Sequence, residues 1–197
     1  MFYAFVKRFF DVFMSFGALV ALSWALLGLA MLVKFDSPGP ALFRQRRIGR
    51  GKREFYLYKY RTMRTDAPPD VATHLMPDSG RHITRFGAWL RRASLDELPQ
   101  LYNILVGDMS LVGPRPALWN QDDLVAERDL YGANDLRPGL TGWAQVNGRD
   151  ELSISAKAAF DGEYVRRGSF FFDLYVIALT LRQAAFGRGV REGAPHE

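Results

Sequence analysis

The chain has no cysteine among its 197 residues, which excludes a disulfide framework, a thiolate metal site and a thiol nucleophile. Glycine (18) and proline (10) are too few for a collagenous or low-complexity protein. Apolar residues at 48% and charged residues at 24% exclude a disordered one. No internal repeat, helix-turn-helix, RNP or zinc-finger pattern is present, so nothing in the sequence supports a nucleic-acid partner. The length suits one domain with its own core and is short for two ordinary ones. What is present is an excess of positive charge, +5 overall with a pI of about 9.6, which suggests a polyanionic partner. The mean hydropathy of -0.11 reads as soluble, yet it averages two unlike regions.

Charge is wholly missing from Val12 to Val33, 22 residues rich in Leu, Ala, Val, Phe and Met. As a helix rising about 1.5 Å per residue, this run reaches about 33 Å, close to the hydrocarbon thickness of a bilayer. It is too long for the core of a signal peptide, and Lys34, Phe35 and Asp36 follow it in place of a small-residue cleavage site. Both flanks are basic, with Lys7 and Arg8 before the run and Lys34, Arg44, Arg46, Arg47, Arg50, Lys52 and Arg53 after it. A single crossing puts Lys7 and Arg8 on the translocated side, although the larger cluster can override them; a helix that enters and leaves by one face satisfies both flanks. Such a break needs its freed backbone groups satisfied, and the Ser23 hydroxyl, with Gly17 and Gly28 nearby, can do that. Ser23 is equally at home as a small polar residue in a straight spanning helix.

Between Ser37 and Arg92 there are 13 Lys and Arg against 4 Asp and Glu, a net of +9, so the remainder of the chain carries -4. This charge follows the apolar run directly, where anionic lipid head groups lie, and each basic residue there contributes about 1 kcal/mol. Ser37-Pro38-Gly39-Pro40 is a turn cluster, and Ala41–Phe43 and Glu54–Tyr60 have strand composition around a hairpin tip at Gly49–Lys52. Asp66–His82, with Pro68, Pro69, Pro77 and Gly80, reads as a mobile surface loop. The aromatic stretch from Phe170 to Leu181 is too short to span and suits an interfacial helix, though a core helix fits as well. The tail after Gly187 is expected to fray.

Ser94 followed by Glu97 has the form of a capping box, with Leu95, Leu98, Leu101 and Leu105 at helical spacing behind it. Pro99 objects to a helix starting there. With the cap in place, Asp96 lies in a first turn, where the helix dipole keeps a carboxylate ionised, as a nucleophile requires. Neighbouring helix positions face different ways, which leaves Asp96 to attack and Glu97 to hold a metal ion. Acidic residues are also ordinary helix-start chemistry. Arg115 stands between Pro114 and Pro116, two residues of fixed φ, and a guanidinium on such a loop is a good bidentate phosphate ligand; a structural turn explains the segment equally. From Leu140 to Asn147 the pattern alternates, which puts Trp143, Gln145 and Asn147 on one strand face, suited to stacking on a base or simply half-buried.

Read together, Lys59-Tyr60-Arg61-Thr62-Met63, Ser94 to Leu101, Gly107-Asp108-Met109-Ser110, Val112 to Pro116 and Arg137 to Arg149 resemble the bacterial sugar transferase family, the small monotopic polyprenyl-phosphate phosphoglycosyl transferases. The motifs run in order over almost the whole chain, and the length matches members that have only the catalytic core. The resemblance implies an α+β, mainly helical fold. Its parts are a re-entrant membrane helix over 1–36, interfacial amphipathic helices and a small β-hairpin around a membrane-surface active site, and a catalytic domain over 37–197 on the cytoplasmic face of the bacterial inner membrane. It implies a two-step reaction. Asp96 attacks the β-phosphate of a UDP-sugar, UMP leaves, and the aspartyl phosphosugar passes its phosphosugar to a polyprenyl phosphate, the first membrane step of surface glycan assembly. On this basis Asp96 and Glu97 hold Mg²⁺, Lys59 supports the acidic pair, Arg115 holds a phosphate, and Arg149 helps hold the nucleotide; Asp161 matches a further family acid. Beside the UDP-sugar and the polyprenyl phosphate, an anionic phospholipid membrane is the third expected partner, and a homodimer is compatible with the pattern.

The family's re-entrant helix usually breaks at Ser-Pro, and here the matching pair is Ser23-Trp24, which keeps its backbone N–H. One rival reading is a catalytically inactive membrane-bound lipid-binding scaffold, which needs no Asp96, Glu97, Arg115 and Arg149 together. Another is a direct-transfer glycosyltransferase releasing UDP, for which the chain lacks an Asp-x-Asp metal motif. With no native cysteine, Phe2→Cys reports topology cleanly. A maleimide reaches it from the cytoplasmic side in a re-entrant protein, and labelling only from the periplasm ends that reading.

Overall fold

The computed structural model describes residues 2–68, 76, 79–148 and 151–185. Helices α1 (Phe2–Ala21) and α2 (Ser23–Asp36) lead into strands β1 (Leu42–Ile48) and β2 (Glu54–Tyr60), then α3 (Ser79–His82), α4 (Arg85–Arg92), a 3₁₀ turn at Leu95–Glu97 and α5 (Gln100–Val106). The second half comprises β3 (Ser110–Val112), β4 (Ala117–Leu118), α6 (Asp122–Asp129), a 3₁₀ turn at Ala133–Asp135, β5 (Gly139–Thr141), α7 (Trp143–Val146), α8 (Ile154–Arg167) and α9 (Phe170–Ala185). The fold is α+β and mainly helical. The hairpin forms where its turn signals put it, with β1 and β2 antiparallel from Leu42↔Tyr60 to Ile48↔Glu54. Gly51 and Lys52 at its tip take the left-handed backbone that a tight turn demands. β4 pairs antiparallel with the other edge of β1, and β3 pairs in parallel with β5.

No single described helix is long and apolar enough to cross a membrane, but α1 and α2 together pass that test as a pair bent by 66°. The break falls at Leu22, whose backbone (φ -95, ψ 5) leaves the helical region, so Ser23 opens the second helix and no proline is needed. α1 has two faces. Phe2, Phe5, Phe9, Phe13 and Phe16 are exposed along one side, while Asp11 and Ser15 are buried on the other. On that buried side Lys7 donates to Asp173 Oδ2 at 2.8 Å, Arg8 donates to the carbonyls of Ile104 (2.7 Å) and Leu105 (3.0 Å), and Asp11 Oδ1 accepts from Leu111 N at 3.0 Å. At the far end of the pair, Arg61 donates to the carbonyls of Ser37 (2.6 Å), Val33 (3.3 Å) and Pro38. Both ends of the bent pair are therefore fastened to the same folded domain.

Among the described residues three apolar clusters fill the interior, and two of them include residues of the bent pair. Leu57, Leu101, Ile104 and Met109 pack with Ala18 and Leu19 of α1. Val33, Tyr60 and Leu90 pack with Leu26, Leu29 and Ala30 of α2, and with Leu95 and Leu98. The third joins Val112, Tyr164, Phe172 and Val176.

Several sequence expectations change. The basic residues taken for a lipid-facing patch largely find protein partners. Arg47 donates to Pro116 O at 2.9 Å, Arg50 to Asp135 O at 3.0 Å, Lys52 pairs with Asp129, and Arg46 pairs with Glu54 and lies 4.2 Å over the Trp119 ring. The capping box is absent, because Ser94 is left-handed (φ 54) and makes no side-chain cap, and Pro99, lacking an N–H, stands at the N-cap of α5 instead. The alternating segment after Pro138 is a strand only to Thr141, where its partner β3 ends at Val112, and then turns into α7. Ser79–His82 is helical at the end of the expected loop, most of whose other residues lie outside the described ones, as do Arg149 and the tail after Gly187.

Candidate active site

Ser94 turns the chain out of α4 in a left-handed conformation, rare for a residue with a side chain, and delivers Asp96 and Glu97 into a single 3₁₀ turn. Leu95 and Leu98 on either side are held in the apolar cluster around Tyr60, which fixes the turn. Asp96 is buried at 8% exposure. Glu97 Oε1 lies 3.2 Å from Arg115 Nη2 and 3.6 Å from Lys59 Nζ, so one carboxylate oxygen joins β2, the turn and the loop after β3. Burial pushes the Asp96 carboxyl above its ordinary range; Lys59 opposes this, Glu97 adds to it, and Arg91 and Arg115 also oppose it. A three-residue turn carries no helix dipole of consequence, so these cations, rather than a helix N-terminus, support the charge on Asp96. Burial also pushes the Lys59 ammonium down to about 8, against the pull of Glu97 and with help from Arg115 and Arg47.

The Pro114–Pro116 loop is rigid for a reason beyond its prolines. Gly113 N donates to Thr141 O at 2.9 Å and Gly139 N to Pro114 O at 2.8 Å. A Cβ on Gly139 would collide with the Gly113 backbone, so only glycine allows the two strands this approach. Pro114 and Pro116 are buried, and Arg115 extends to Glu97 from between them. Two residues escaped the sequence reading because both were counted only as members of a charged patch. Arg91 donates to Thr62 Oγ1 at 2.7 Å and acts on the charge of Asp96. Arg47 is bound by Gln45 Oε1 and holds the Pro116 carbonyl, and so steadies the loop that carries Arg115. Among the described residues no cluster of three or more His, Cys, Asp or Glu could hold a metal ion. Two adjacent carboxylates still match Mg²⁺, which takes one or two protein carboxylates and fills its remaining positions with water and phosphate oxygens.

A family model described as bacterial sugar transferase matches residues 2–187. The chain belongs to the bacterial sugar transferase family. The UDP-glucose:undecaprenyl-phosphate glucose-1-phosphate transferase of Xanthomonas campestris pv. campestris is 42% identical over 177 residues, 86% of this chain and 37% of that protein. The sugar transferase EpsL of Bacillus subtilis (strain 168), named as uncharacterized, is 39% identical over 187 residues, 95% of this chain and 91% of its own length. The UDP-N-acetylgalactosamine-undecaprenyl-phosphate N-acetylgalactosaminephosphotransferase of Aeromonas hydrophila is 36% identical over 195 residues, 96% of this chain and 46% of that protein. The chain thus spans less than half of the two relatives named for a defined sugar and nearly all of the third.

Within this family member, the other expected site residues lie in different company. Trp143 does not present a free stacking face: its Nε1 donates to Glu163 at 2.8 Å, and its ring packs against Phe160, Phe172 and Tyr175 with Arg167 over it at 5.3 Å. Gln145 donates to Leu140 O at 3.2 Å and Asn147 to Trp143 O at 2.8 Å; in a helical turn these side chains no longer share the face a strand would give them. Asp161 is 1% exposed on α8, and its Oδ2 accepts from Arg128 Nε at 2.8 Å and pairs with Nη2 at 2.7 Å. Burial pushes this carboxyl up and Arg128 pulls it down, the balance of a clamp between α6 and α8. Arg128→Leu strands the buried Asp161 carboxylate and should lower stability by about 3–5 kcal/mol in chemical denaturation, while adding Asp161→Leu recovers most of the loss. A double variant no more stable than the single one contradicts this.

Proposed function

We propose that this chain transfers a phosphosugar from a UDP-sugar to a polyprenyl phosphate by way of a covalent intermediate on Asp96, releasing UMP. The observation that carries the reading is the buried Asp96, beside Glu97, under the charge of Lys59, Arg91 and Arg115. A diphosphate repels a carboxylate nucleophile, and three cations round the pair offset that repulsion. In the first step an Asp96 oxygen bonds to the β-phosphorus as the bond from that phosphorus to the bridging oxygen breaks, and UMP leaves with the electron pair. In the second, an oxygen of the polyprenyl phosphate bonds to the same phosphorus, the bond to Asp96 breaks, and the carboxylate is restored. The intermediate lets a soluble donor and a membrane-borne acceptor use one site in turn. Arg115, set on its rigid loop, orients the phosphates, and Lys59 keeps Glu97 in place. Glu97, with Asp96 beside it, would hold Mg²⁺, which supplies neutralisation of the diphosphate charge.

The acceptor belongs in a membrane, and the fastening of both ends of the bent helix pair to one domain supports a re-entrant insertion from the cytoplasmic face of a bacterial inner membrane. The apolar residues turned outward fit such a seat, among them Phe5, Phe9 and Phe13 on α1, Trp89 on α4, and Phe171 and Leu181 on α9. The two relatives with a stated sugar are named for glucose and for N-acetylgalactosamine, so both remain open as the transferred group, within surface glycan or exopolysaccharide assembly. A panel of UDP-sugars with Mg²⁺ and polyprenyl phosphate tests the reading. UMP is the expected product, and Asp96→Asn should lower turnover by about a thousandfold or more. UDP as product, or wild-type turnover by Asp96→Asn, would sink it, and no nucleotide from any donor favours the scaffold.

A further inference from the structure

Four consecutive residues where β2 ends, Lys59 to Thr62, reach the acidic turn, α2 and α4. Lys59 points to Glu97 in the acidic turn. Tyr60, buried at 4% exposure, donates its hydroxyl proton to the Leu26 carbonyl of α2 at 2.7 Å. Arg61 closes the far end of α2 through Val33, Ser37 and Pro38. The Thr62 hydroxyl accepts from Arg91, the cation that acts on Asp96, and Thr62 O accepts from Thr84 N at the start of α4. The same apolar cluster holds Tyr60, four residues of α2 and both neighbours of the acidic pair, Leu95 and Leu98. The returning half of the bent pair and the reacting carboxylate are thus registered against one short rigid segment.

We infer that Tyr60 and Arg61 are positioning residues that transmit the placement of α2 to the Asp96–Glu97 turn, and so set the height at which the site meets an acceptor carried in the bilayer. This rests on the reading of the preceding subsection for the membrane seat of the bent pair and for the two half-reactions. The physical consequence is selective. A soluble nucleoside diphosphate sugar reaches the site wherever the bilayer surface lies, whereas an acceptor anchored in lipid reaches it only at the right height. Loosening the tie between β2 and α2 therefore penalises the acceptor half of the reaction and spares the donor half. A general loss of folded protein lowers both alike.

Tyr60→Phe removes the hydroxyl and keeps the ring in its cluster. Reconstituted in vesicles of anionic and zwitterionic phospholipid, this variant should release UMP from the donor in a single turnover within about twofold of wild type. Its kcat/KM for polyprenyl phosphate should fall about fivefold, the order of one hydrogen bond. Equal losses in both halves, or no loss in either, overturn the proposal. A second measurement needs no activity. Nitroxides on Leu27→Cys and Tyr102→Cys, both exposed in the native protein, report the distance between α2 and the helix that follows the acidic pair. Tyr60→Phe should broaden that distance distribution. If the wild type releases no UMP, the transferase reading fails and the nitroxide pair alone decides the coupling, an unchanged width overturning it.

Discussion

Glu97 Oε1 stands within 3.2 Å of Arg115 and 3.6 Å of Lys59, and through that oxygen three separate stretches of chain converge. The hairpin contributes Lys59, the 3₁₀ turn the acid, and the loop between two buried prolines the guanidinium. Each arm is stiffened by something local. β2 is paired along its length with β1, the turn is set by flanking leucines in an apolar cluster, and the loop is laced to β5 by backbone hydrogen bonds. A carboxylate buried like Asp96 is stable as an anion only among such cations, so the charge network and the fold depend on each other.

The apolar N-terminal segment is tied into that network. α1 carries Lys7, Arg8 and Asp11 on the side turned to the domain, where they serve Asp173, the end of α5 and the edge of β3. Arg8 donates to two carbonyls of the last turn of α5, Ile104 O, which also accepts from Gly107 N, and Leu105 O. At the other end of the pair, Arg61 donates to the carbonyls of Val33, Ser37 and Pro38 where α2 ends. A helix pair held in this way has little freedom to straighten, and the bend at Leu22 is maintained by its ends as much as by its own backbone.

The parts of this arrangement legible in the sequence were those with a local signal. The hairpin followed from Gly49–Lys52 between two strand-like runs, whereas the uncharged run left a straight and a broken helix equally open, and the bend lies at Leu22, next to the Ser23-Trp24 pair that the family resemblance marked. The acidic pair and Arg115 had local readings that the family resemblance sharpened, Lys59 drew its role from the resemblance alone, and the structure brings these four together. What local pattern could not convey was the partner of each charge. Arg47 and Arg91 looked like members of a basic patch, yet one holds a carbonyl of the loop and the other bonds Thr62. Asp161 looked like a site acid, yet it is clamped by Arg128, 33 residues away in sequence. Trp143, Gln145 and Asn147 alternate as a strand would, but β3 offers no partner beyond Val112, and the backbone coils instead. For the Trp143–Asn147 segment tertiary contact overrode a sound local preference.

The proposed transfer turns on a covalent bond between Asp96 and a phosphosugar. Peptide mapping by mass spectrometry, after brief incubation with a UDP-sugar and Mg²⁺ in the absence of acceptor, reads that bond directly. The peptide that contains Asp96 should gain the mass of one phosphosugar and lose it when polyprenyl phosphate is added. Release of UMP with that peptide unmodified, or the adduct on any other residue, contradicts the account.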